Sequence, residues 1–166
     1  MTLPRWRPAY VGIGSNLEKP VQQINQAFEL LCGLERSVLV GRSGLYRSAP
    51  LGDVEQPDFI NAVAALMTRL EPLVLLHKLK GMEDAQGRDR SVVRWGPRCI
   101  DLDLLAVGEI SIDSDELTLP HPGIAERGFV LLPWAEVAPD FRIPGLTSVA
   151  RLADELAAGP DIERLE

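Results

Sequence analysis

Apolar residues form short runs along the chain, and several of these runs have the composition of β-strands. Residues 9–14 are a short apolar run that ends at a Gly-Ser-Asn turn, and residues 38–46 and 58–68 also have strand composition. Residues 98–108 are predicted to form the next strand, and residues 110–113 are a candidate for a short hairpin arm. The pattern therefore predicts four main strands and one short arm.

Between the strands, apolar residues recur at the three- and four-residue spacing of helices. Pro20 begins the first such segment, whose predicted buried face consists of Val21, Ile24, Ala27, Phe28 and Leu31. Pro72 begins the second, which ends at Gly87 and places at helical spacing Leu73, Leu76, Leu79, Met82 and Glu83. A third, short apolar helix is predicted over residues 126–139, and the chain then continues as an irregular tail.

The stretch GIGSN, residues 12–16, lies between the first strand and the first helix. It lacks the Lys-Ser/Thr pair of a Walker A phosphate loop and the third glycine of a dinucleotide-binding fingerprint. We therefore interpret it as a strand end that leads into a capped helix.

The order of these elements is βαββαβ with an appendix. Two helices on one face of a mostly antiparallel sheet satisfy this order, so we expect an α+β fold of the ferredoxin-like class with a C-terminal appendix. At 166 residues and 18.2 kDa the chain is the size of one domain. We expect a single domain over residues 1–166 with its core at about 9–140.

The composition limits the classes of partner. An apolar content of 46% and a charged content of 25% are typical of a folded globular protein. A pI near 4.9 argues against an extended nucleic-acid surface. No apolar leader or membrane-length run is visible, so we expect a cytoplasmic protein without a membrane partner. Cys32 and Cys99 lie far apart in sequence, and we expect both to be free, buried thiols.

Two aspartates stand two positions apart at the start of the predicted strand 98–108. Alternate strand residues share a face, so Asp101 and Asp103 present paired carboxylates while Ile100, Leu102 and Leu104 face the core. Carboxylate oxygens suit Mg²⁺, which one or two carboxylates commonly share with substrate phosphates. Alone, the pair is a weak signal for a metal, and a solvated strand face or salt bridges to neighbouring arginines explain such a pair more often.

Four arginines precede or begin this strand: Arg88, Arg90, Arg94 and Arg98. The planar guanidinium group matches phosphate oxygens in pairs and keeps its charge, although most arginine clusters are merely soluble loops. Here the cluster adjoins the paired carboxylates. Cations for phosphate and carboxylates for Mg²⁺ together favour a nucleoside triphosphate site.

Aromatic and imidazole side chains provide further candidates. Phe59 and Asn61 share one strand face, which is a way to recognise a planar heterocycle, and Phe129 is a candidate second ring. By themselves these residues more often have structural roles, with Phe59 in the core and Asn61 capping a neighbouring strand, and Phe129 can equally be a core residue of the last helix. His121 lies between prolines and can donate to a phosphate or bond the backbone, whereas His77 is expected to be structural.

Four segments carry a resemblance to a known family: GIGSN, YRSAPLGDVEQPDFINA, RWGPRCIDLDLL and LPHPGIAERGFVLLP. In this order and spacing the chain closely resembles the 6-hydroxymethyl-7,8-dihydropterin pyrophosphokinases of folate biosynthesis, over about residues 9–140. The resemblance implies a ferredoxin-like fold and transfer of pyrophosphate from ATP to the pterin hydroxymethyl group, with release of AMP. It also implies two Mg²⁺ ions, and we expect a monomer.

The resemblance also implies a role for individual residues. The catalytic residues are Arg88, Arg98, Asp101 and Asp103, with both metal ions held by Asp101 and Asp103. The pterin contacts are Ser48, Leu51, Phe59, Asn61, Trp95 and Phe129. The ATP contacts are Lys80, Glu83, Arg90, Arg94, Leu104, Thr118, His121 and Arg127.

The residues alone leave two other functions open. A metal-dependent phosphohydrolase can use the same carboxylates and arginines, and a regulatory module can bind ATP without transferring anything. Neither needs a heterocycle sandwich, so the paired rings of Phe59 and Phe129 favour the pyrophosphokinase.

Overall fold

An antiparallel sheet forms the centre of the molecule, for which a computed structural model describes residues 4–17, 19–50, 55–87, 100–156 and 162–165. In chain order its strands are β1 (Arg7–Ser15), β2 (Ser37–Arg42), β3 (Tyr46–Ser48), β4 (Phe59–Thr68), β5 (Asp101–Val107) and β8 (Ile162–Arg164). They lie in the order β5-β1-β4-β3-β8, and β2 also pairs with β4. A separate hairpin consists of β6 (Ile112–Asp113) and β7 (Thr118–Leu119).

Four α-helices pack on the two faces of this sheet. They are α1 (Pro20–Cys32), α2 (Pro72–Ala85), α3 (Gly128–Val137) and α4 (Val149–Leu156), and a 3₁₀ turn at Ile124–Glu126 precedes α3. The α+β class, the antiparallel sheet and the three predicted helices are therefore confirmed. No helix in the described part of the chain is long and apolar enough to cross a bilayer.

Both faces of the sheet are covered, because β4 is buried along nearly its whole length. On one face, α1 and α2 pack with Phe28 and Leu79 against the strands, as expected for two helices on one side. On the other face, α3 and α4 cover a second cluster around Trp134 and Leu152. A strand that is apolar at consecutive positions, like AVAALM (62–67) in β4, is typical of a sheet buried on both sides.

Two predictions are wrong, one for the strand 38–46 and one for the irregular tail. The predicted strand 38–46 is divided into β2 and β3, because the chain leaves the ladder at Ser43, whose hydroxyl accepts a hydrogen bond from the Val63 N–H at 2.8 Å. The tail is not irregular, since it contains α4 and β8. β8 lies at the edge of the sheet and pairs with β3.

The predicted helix faces need small corrections. Val21 is 42% exposed and Leu73 is 41% exposed, so neither belongs to the buried face of its helix. The buried stripe of α2 consists of Pro72, Leu75, Leu79 and Glu83. The buried residues of a helix recur every three to four positions, and Val21 and Leu73 are out of phase with the buried residues of their helices.

The turn after β1 differs from the expected capped helix start. Pro20 does occupy the first turn of α1, but Lys19 at the cap position has a φ of 63° and makes no side-chain capping bond. The Asn16 amide instead donates to Gln56 Oε1 at 2.8 Å and to the Pro57 carbonyl at 2.9 Å. Asn16 therefore joins the end of β1 to the segment that leads into β4.

The prediction of buried thiols is wrong for Cys32. It is a free cysteine at the last residue of α1, and its side chain is exposed because it lies outside the stripe formed by Ile24, Phe28 and Leu31. Cys99 lies outside the described residues.

Candidate active site

The paired aspartates lie at the N-terminal end of β5, beside two glycines of β1. Asp103 is opposite Gly12 and Asp101 is opposite Gly14 in the antiparallel ladder. Directly opposite residues share a face, so the two glycines place no side chain beside the carboxylates. A Cβ at Gly12 would lie 3.3 Å from Leu105 Cδ2, and one at Gly14 would lie 3.4 Å from Asn61 Oδ1. Ile100, Leu102 and Leu104 are buried, as predicted for the other face of the strand.

An open pocket, here called the aromatic pocket, lies beside Gly12, Gly14 and the two aspartates. It has a volume of about 620 Å³ including its open mouth. Its walls include four predicted pterin contacts, namely Ser48, Phe59, Asn61 and Phe129. Both phenylalanines are only partly buried. The two rings therefore line an accessible cavity rather than the closed core.

Asn61 is buried, and it joins two strands at the wall of the aromatic pocket. Its amide nitrogen donates to Ser48 Oγ at 2.7 Å and to the Tyr46 carbonyl at 3.4 Å, both on β3. Its Oδ1 lies on the side of Gly14, where an added Cβ would be 3.4 Å away. Asn61 therefore bonds the neighbouring strand, as one interpretation expected, and it also lines the pocket, while its contact with a heterocycle stays a prediction.

A second cavity, here called the α2 pocket, lies on the other side of the same aspartates. It is bounded by α2, β5 and the β6–β7 hairpin and has a volume of about 770 Å³ including its mouth. Five predicted ATP contacts line it: Lys80, Glu83, Leu104, Thr118 and His121. Asp101 and Asp103 line both pockets. The carboxylates therefore stand where the two cavities meet.

Arg127 is the exception among the described ATP candidates. It directly precedes α3 and lines the aromatic pocket, and it is absent from the lining of the α2 pocket. A long guanidinium side chain at this place reaches the junction from the aromatic side. Its contact with ATP stays a prediction.

Glu83 is a buried carboxylate on the inner face of α2, 4% exposed. Its Oε2 accepts a hydrogen bond from the Leu102 N–H at 2.7 Å, between the two aspartates. Because β5 is the edge strand of the sheet within the described part of the chain, an N–H there that points away from β1 has no neighbouring strand to donate to. Glu83 thus supplies the acceptor that a further strand would otherwise provide.

His121 is fixed by its backbone surroundings. Its N–H donates to the Leu105 carbonyl at 2.9 Å, and Nδ1 donates to the Pro122 carbonyl at 2.7 Å. Burial, followed by the nearby charge of Arg127, lowers the pKa of His121, although the Pro122 carbonyl and Asp101 oppose this shift. The neutral ring therefore carries its proton on Nδ1 and presents Nε2 as an acceptor.

His77 lies on the exposed side of α2 rather than on its apolar face, because the buried stripe runs through Leu75 and Leu79. It pairs with Glu116 in the loop between β6 and β7, and this interaction lowers the pKa of Glu116. Glu116 lines the α2 pocket. The pair therefore joins the hairpin wall of that pocket to α2, which agrees with the expected structural role of His77.

The carboxylate oxygens at the place where the two pockets meet suit a hard cation that also binds other ligands. In the described residues, no group of three or more His, Cys, Asp and Glu side chains is arranged to hold a metal ion. Two carboxylate groups, Asp101 and Asp103, fit Mg²⁺, which takes its remaining ligands from water and substrate phosphates.

Several predicted site residues lie outside the described residues, namely Leu51, Arg88, Arg90, Arg94, Trp95 and Arg98. Their roles stay predictions. Other pocket residues were not predicted to line a pocket, above all Gly12 and Gly14. The sequence feature that could have indicated them is the Gly-Ile-Gly stretch at the end of a strand. Asp115 and Glu116, which line the α2 pocket, had no visible signal because they lie in an acidic hairpin loop.

Comparison with known proteins gives a consistent match. A family model described as 7,8-dihydro-6-hydroxymethylpterin-pyrophosphokinase matches residues 10–139. The 2-amino-4-hydroxy-6-hydroxymethyldihydropteridine pyrophosphokinase of Pseudomonas aeruginosa is 48% identical over 158 residues, covering 94% of this chain and 95% of that protein. The enzyme of the same name from Haemophilus influenzae is 42% identical over 149 residues, covering 90% and 92%.

Solved structures agree in fold. A Plasmodium falciparum HPPK-DHPS A437G structure with SDX-DHP gives a TM-score of 0.74 at 13% identity, covering 97% of this chain and 49% of that one. A structure of HPPK-DHPS in complex with substrates gives 0.75 at 12% identity, covering 96% and 46%. The chain thus spans about half the length of these longer chains, and the likeness shows a shared fold.

Proposed function

Because the chain belongs to the 7,8-dihydro-6-hydroxymethylpterin-pyrophosphokinase family, we propose that its two pockets hold its two substrates on opposite sides of Asp101 and Asp103. The enzyme transfers pyrophosphate from ATP to the hydroxymethyl group of 6-hydroxymethyl-7,8-dihydropterin in folate biosynthesis. The observation that carries the two-pocket arrangement is that both aspartates line both cavities.

The pterin occupies the aromatic pocket. Its flat ring packs between Phe59 and Phe129, because aromatic faces stack favourably and gain buried apolar area. Asn61 and Ser48 lie at the edge of that pocket with hydrogen-bonding groups for the heterocycle. The hydroxymethyl group then points to the junction, where Asp101 and Asp103 lie.

ATP occupies the α2 pocket. Leu104 and Thr118 flank the nucleoside, while Lys80 and His121 lie where a triphosphate would pass towards the junction. Arg127 approaches from the aromatic side, and the predicted arginines Arg88, Arg90, Arg94 and Arg98 complete the set of cations. Fixed cations at the phosphates stabilise the charge that shifts towards the leaving AMP.

Asp101 and Asp103 would hold the Mg²⁺ ions expected in this family. When bound, Mg²⁺ neutralises phosphate charge and lowers the pKa of a coordinated hydroxyl group. The substrate hydroxyl oxygen forms a bond to the β-phosphorus of ATP as the bond from that phosphorus to the α-phosphate oxygen breaks. AMP leaves, and the hydroxyl proton passes to solvent or to Asp103, which is near enough to the junction to accept it.

The same proposal covers the finer architecture. The strand order β5-β1-β4 followed by β2 and β3, with all pairs antiparallel, supports a ferredoxin-like core at about residues 9–140 within one domain, 1–166. Use of ATP supports a cytoplasmic location.

Pterin-dependent formation of AMP tests the function. With Mg²⁺, purified protein should convert ATP to AMP only when 6-hydroxymethyl-7,8-dihydropterin is present, and EDTA should abolish the reaction. Asp101→Ala and Asp103→Ala should each lose on the order of 10³-fold in rate. Asp113→Ala, which removes the same charge from β6 outside both pockets, should keep the wild-type rate.

Other products would identify the alternatives. ADP or AMP formed equally without pterin would indicate a phosphohydrolase, and ATP binding without any turnover would indicate a regulatory module. Near wild-type turnover in either aspartate variant would remove the carboxylates from the mechanism.

A further inference from the structure

The C-terminal strand β8 connects the two elements that carry opposite walls of the aromatic pocket. It pairs antiparallel with β3, where Ile162 lies opposite Ser48 and Arg164 lies opposite Tyr46. Ser48 lines the pocket and accepts the hydrogen bond from Asn61. One edge of β8 is therefore attached to the wall that contains Ser48 and Asn61.

The side chain of Ile162 also contacts the start of α3. A Cβ added at Gly128 would lie 2.7 Å from Ile162 Cδ1 and 3.9 Å from Leu156 Cβ. Gly128 is the first residue of α3, and Phe129 follows it directly. The terminal methyl group of Ile162 thus packs against Gly128, and a side chain at position 128 requires the Ile162 side chain to move.

A second contact joins β8 to the later part of the same helix. Arg164 Nε donates to Glu136 Oε2 at 3.2 Å, and Glu136 Oε1 accepts from the Gly44 N–H at 3.0 Å. Gly44 lies between β2 and β3. β8 and the chain just before β3 therefore contact α3 through Ile162 near its start and through Arg164 and Gly44 at Glu136.

We propose that β8 sets the distance between the two walls of the aromatic pocket, with Ile162 as the positioning residue that places Phe129 opposite Phe59. This inference rests on the proposed binding of the pterin between those two rings. Among the described residues, none of those that line either pocket belongs to β8, so the strand acts only through β3 and α3.

The physical reason is the narrow tolerance of a stacked ring. Optimal contacts between carbon atoms are about 3.5–4.0 Å, and a radial gap of about 0.5–1 Å already loses a quarter to a half of the attraction. Two rings that sandwich a third must therefore be held to within a fraction of an ångström. The α2 pocket is bounded by other elements, and Arg127 is the one described ATP candidate that lies beside α3. β8 should therefore affect pterin binding more strongly than nucleotide binding.

A double-mutant cycle at the Gly128–Ile162 contact tests this proposal. Gly128→Ala adds the methyl group that meets Ile162 Cδ1, and Ile162→Val removes Cδ1 and leaves 3.9 Å to the next atom. The measurements are the pterin Kd, the pterin and ATP KM values, kcat and the Tm for each variant. Gly81→Ala is the matched control, because no atom lies within 4 Å of a Cβ at Gly81 in α2.

We expect Gly128→Ala to weaken pterin binding by up to about tenfold, with a smaller change in the ATP KM. The double variant should recover pterin binding to within about twofold of Ile162→Val, since the collision is gone. Gly81→Ala should bind both substrates like wild type. A general loss of stability would instead lower the Tm and weaken the binding of pterin and ATP alike.

Three outcomes would overturn the positioning role: unchanged pterin binding in Gly128→Ala, equal losses for pterin and ATP, or a double variant as weak as Gly128→Ala. Phe59→Ala separates this failure from failure of the proposed function. If Phe59→Ala weakens pterin binding but Gly128→Ala does not, only the role of β8 is wrong. If Phe59→Ala has no effect on pterin binding, the assignment of the pterin to this pocket fails as well.

Discussion

At the scale of single residues, Glu83 organises the site through the backbone. Its carboxylate accepts the Leu102 N–H between the two aspartates and lies in the buried stripe of α2. We infer that it stiffens the edge strand at the point where Asp101 and Asp103 project. Glu83 thus lines the α2 pocket, and its hydrogen bond to the Leu102 N–H supports the backbone between the two aspartates.

Substitutions at Glu83 should separate these roles. Glu83→Gln keeps an oxygen acceptor for the Leu102 N–H, whereas Glu83→Leu leaves that buried donor unpaired at a cost of about 1–3 kcal/mol. We expect faster hydrogen exchange at the Leu102 amide and a lower free energy of unfolding in Glu83→Leu, and near wild-type behaviour in Glu83→Gln. Equal loss in both variants would show that the charge, not the hydrogen bond, is what matters.

His121 gives a prediction on pH. The lowered pKa keeps His121 neutral near pH 7, and its Nδ1 proton is used by the Pro122 carbonyl. To donate to a phosphate through Nε2, the ring must therefore take up a proton. Nucleotide affinity should be highest at low pH and should fall as pH rises through the pKa of the bound state, by at most about tenfold per pH unit.

Calorimetric titration with a non-hydrolysable ATP analogue in two buffers of different ionisation enthalpy measures this uptake. Wild-type protein should take up more protons at pH 7.5 than His121→Asn, which cannot titrate. Identical proton uptake in the two proteins would mean that His121 does not donate to the nucleotide.

The sequence predicted the individual site residues to the extent that local spacing determines them. A spacing of two residues predicted that Asp101 and Asp103 lie on one face of a strand. The same rule predicted that Phe59 and Asn61 share a strand face. It did not reveal the bond from Leu102 to Glu83, because that depends on β5 being an edge strand. Nor did it reveal that Asn16 would bond Gln56, since the two residues approach each other only in the folded chain.

At the scale of elements, helix position was predictable and helix phase less so. The buried face of α1 contains Ile24, Phe28 and Leu31 as expected, yet Val21 is exposed. The strand 38–46 and the tail were harder, because the break at Ser43 and the pairing of β8 with β3 are tertiary contacts. Short segments such as β8 take their structure from the sheet edge that they join.

Truncations on α1 measure this difference in phase. Phe28→Ala should lower the free energy of unfolding by about 3–5 kcal/mol, because it opens a cavity in a fully packed core. For a chain of this size that corresponds to a decrease of about 2–4 °C in Tm per kcal/mol. Val21→Ala on the same helix is the control, and it should unfold within about 0.5 kcal/mol of wild type. Similar losses in the two variants would show that the buried face is misassigned.

At the scale of the whole molecule, the fold brings distant segments to one junction. β1 and β5 are neighbours although they lie far apart in sequence, and this places the glycines of the first motif beside the aspartates of the third. The resemblance to the family is confirmed, whereas the roles of its individual site residues stay predictions. The two-sided sheet and the contribution of the C-terminal strand followed only from the three-dimensional arrangement.

The most direct measurement of the central claim is a crystal structure of the protein with Mg²⁺, α,β-methylene-ATP and 6-hydroxymethyl-7,8-dihydropterin. We predict the pterin between Phe59 and Phe129, the nucleoside beside Leu104 and Thr118, and the metal and phosphates at Asp101 and Asp103. An adenine ring between the two phenylalanines, or both ligands in one pocket, would contradict the arrangement of two substrates across the shared carboxylates.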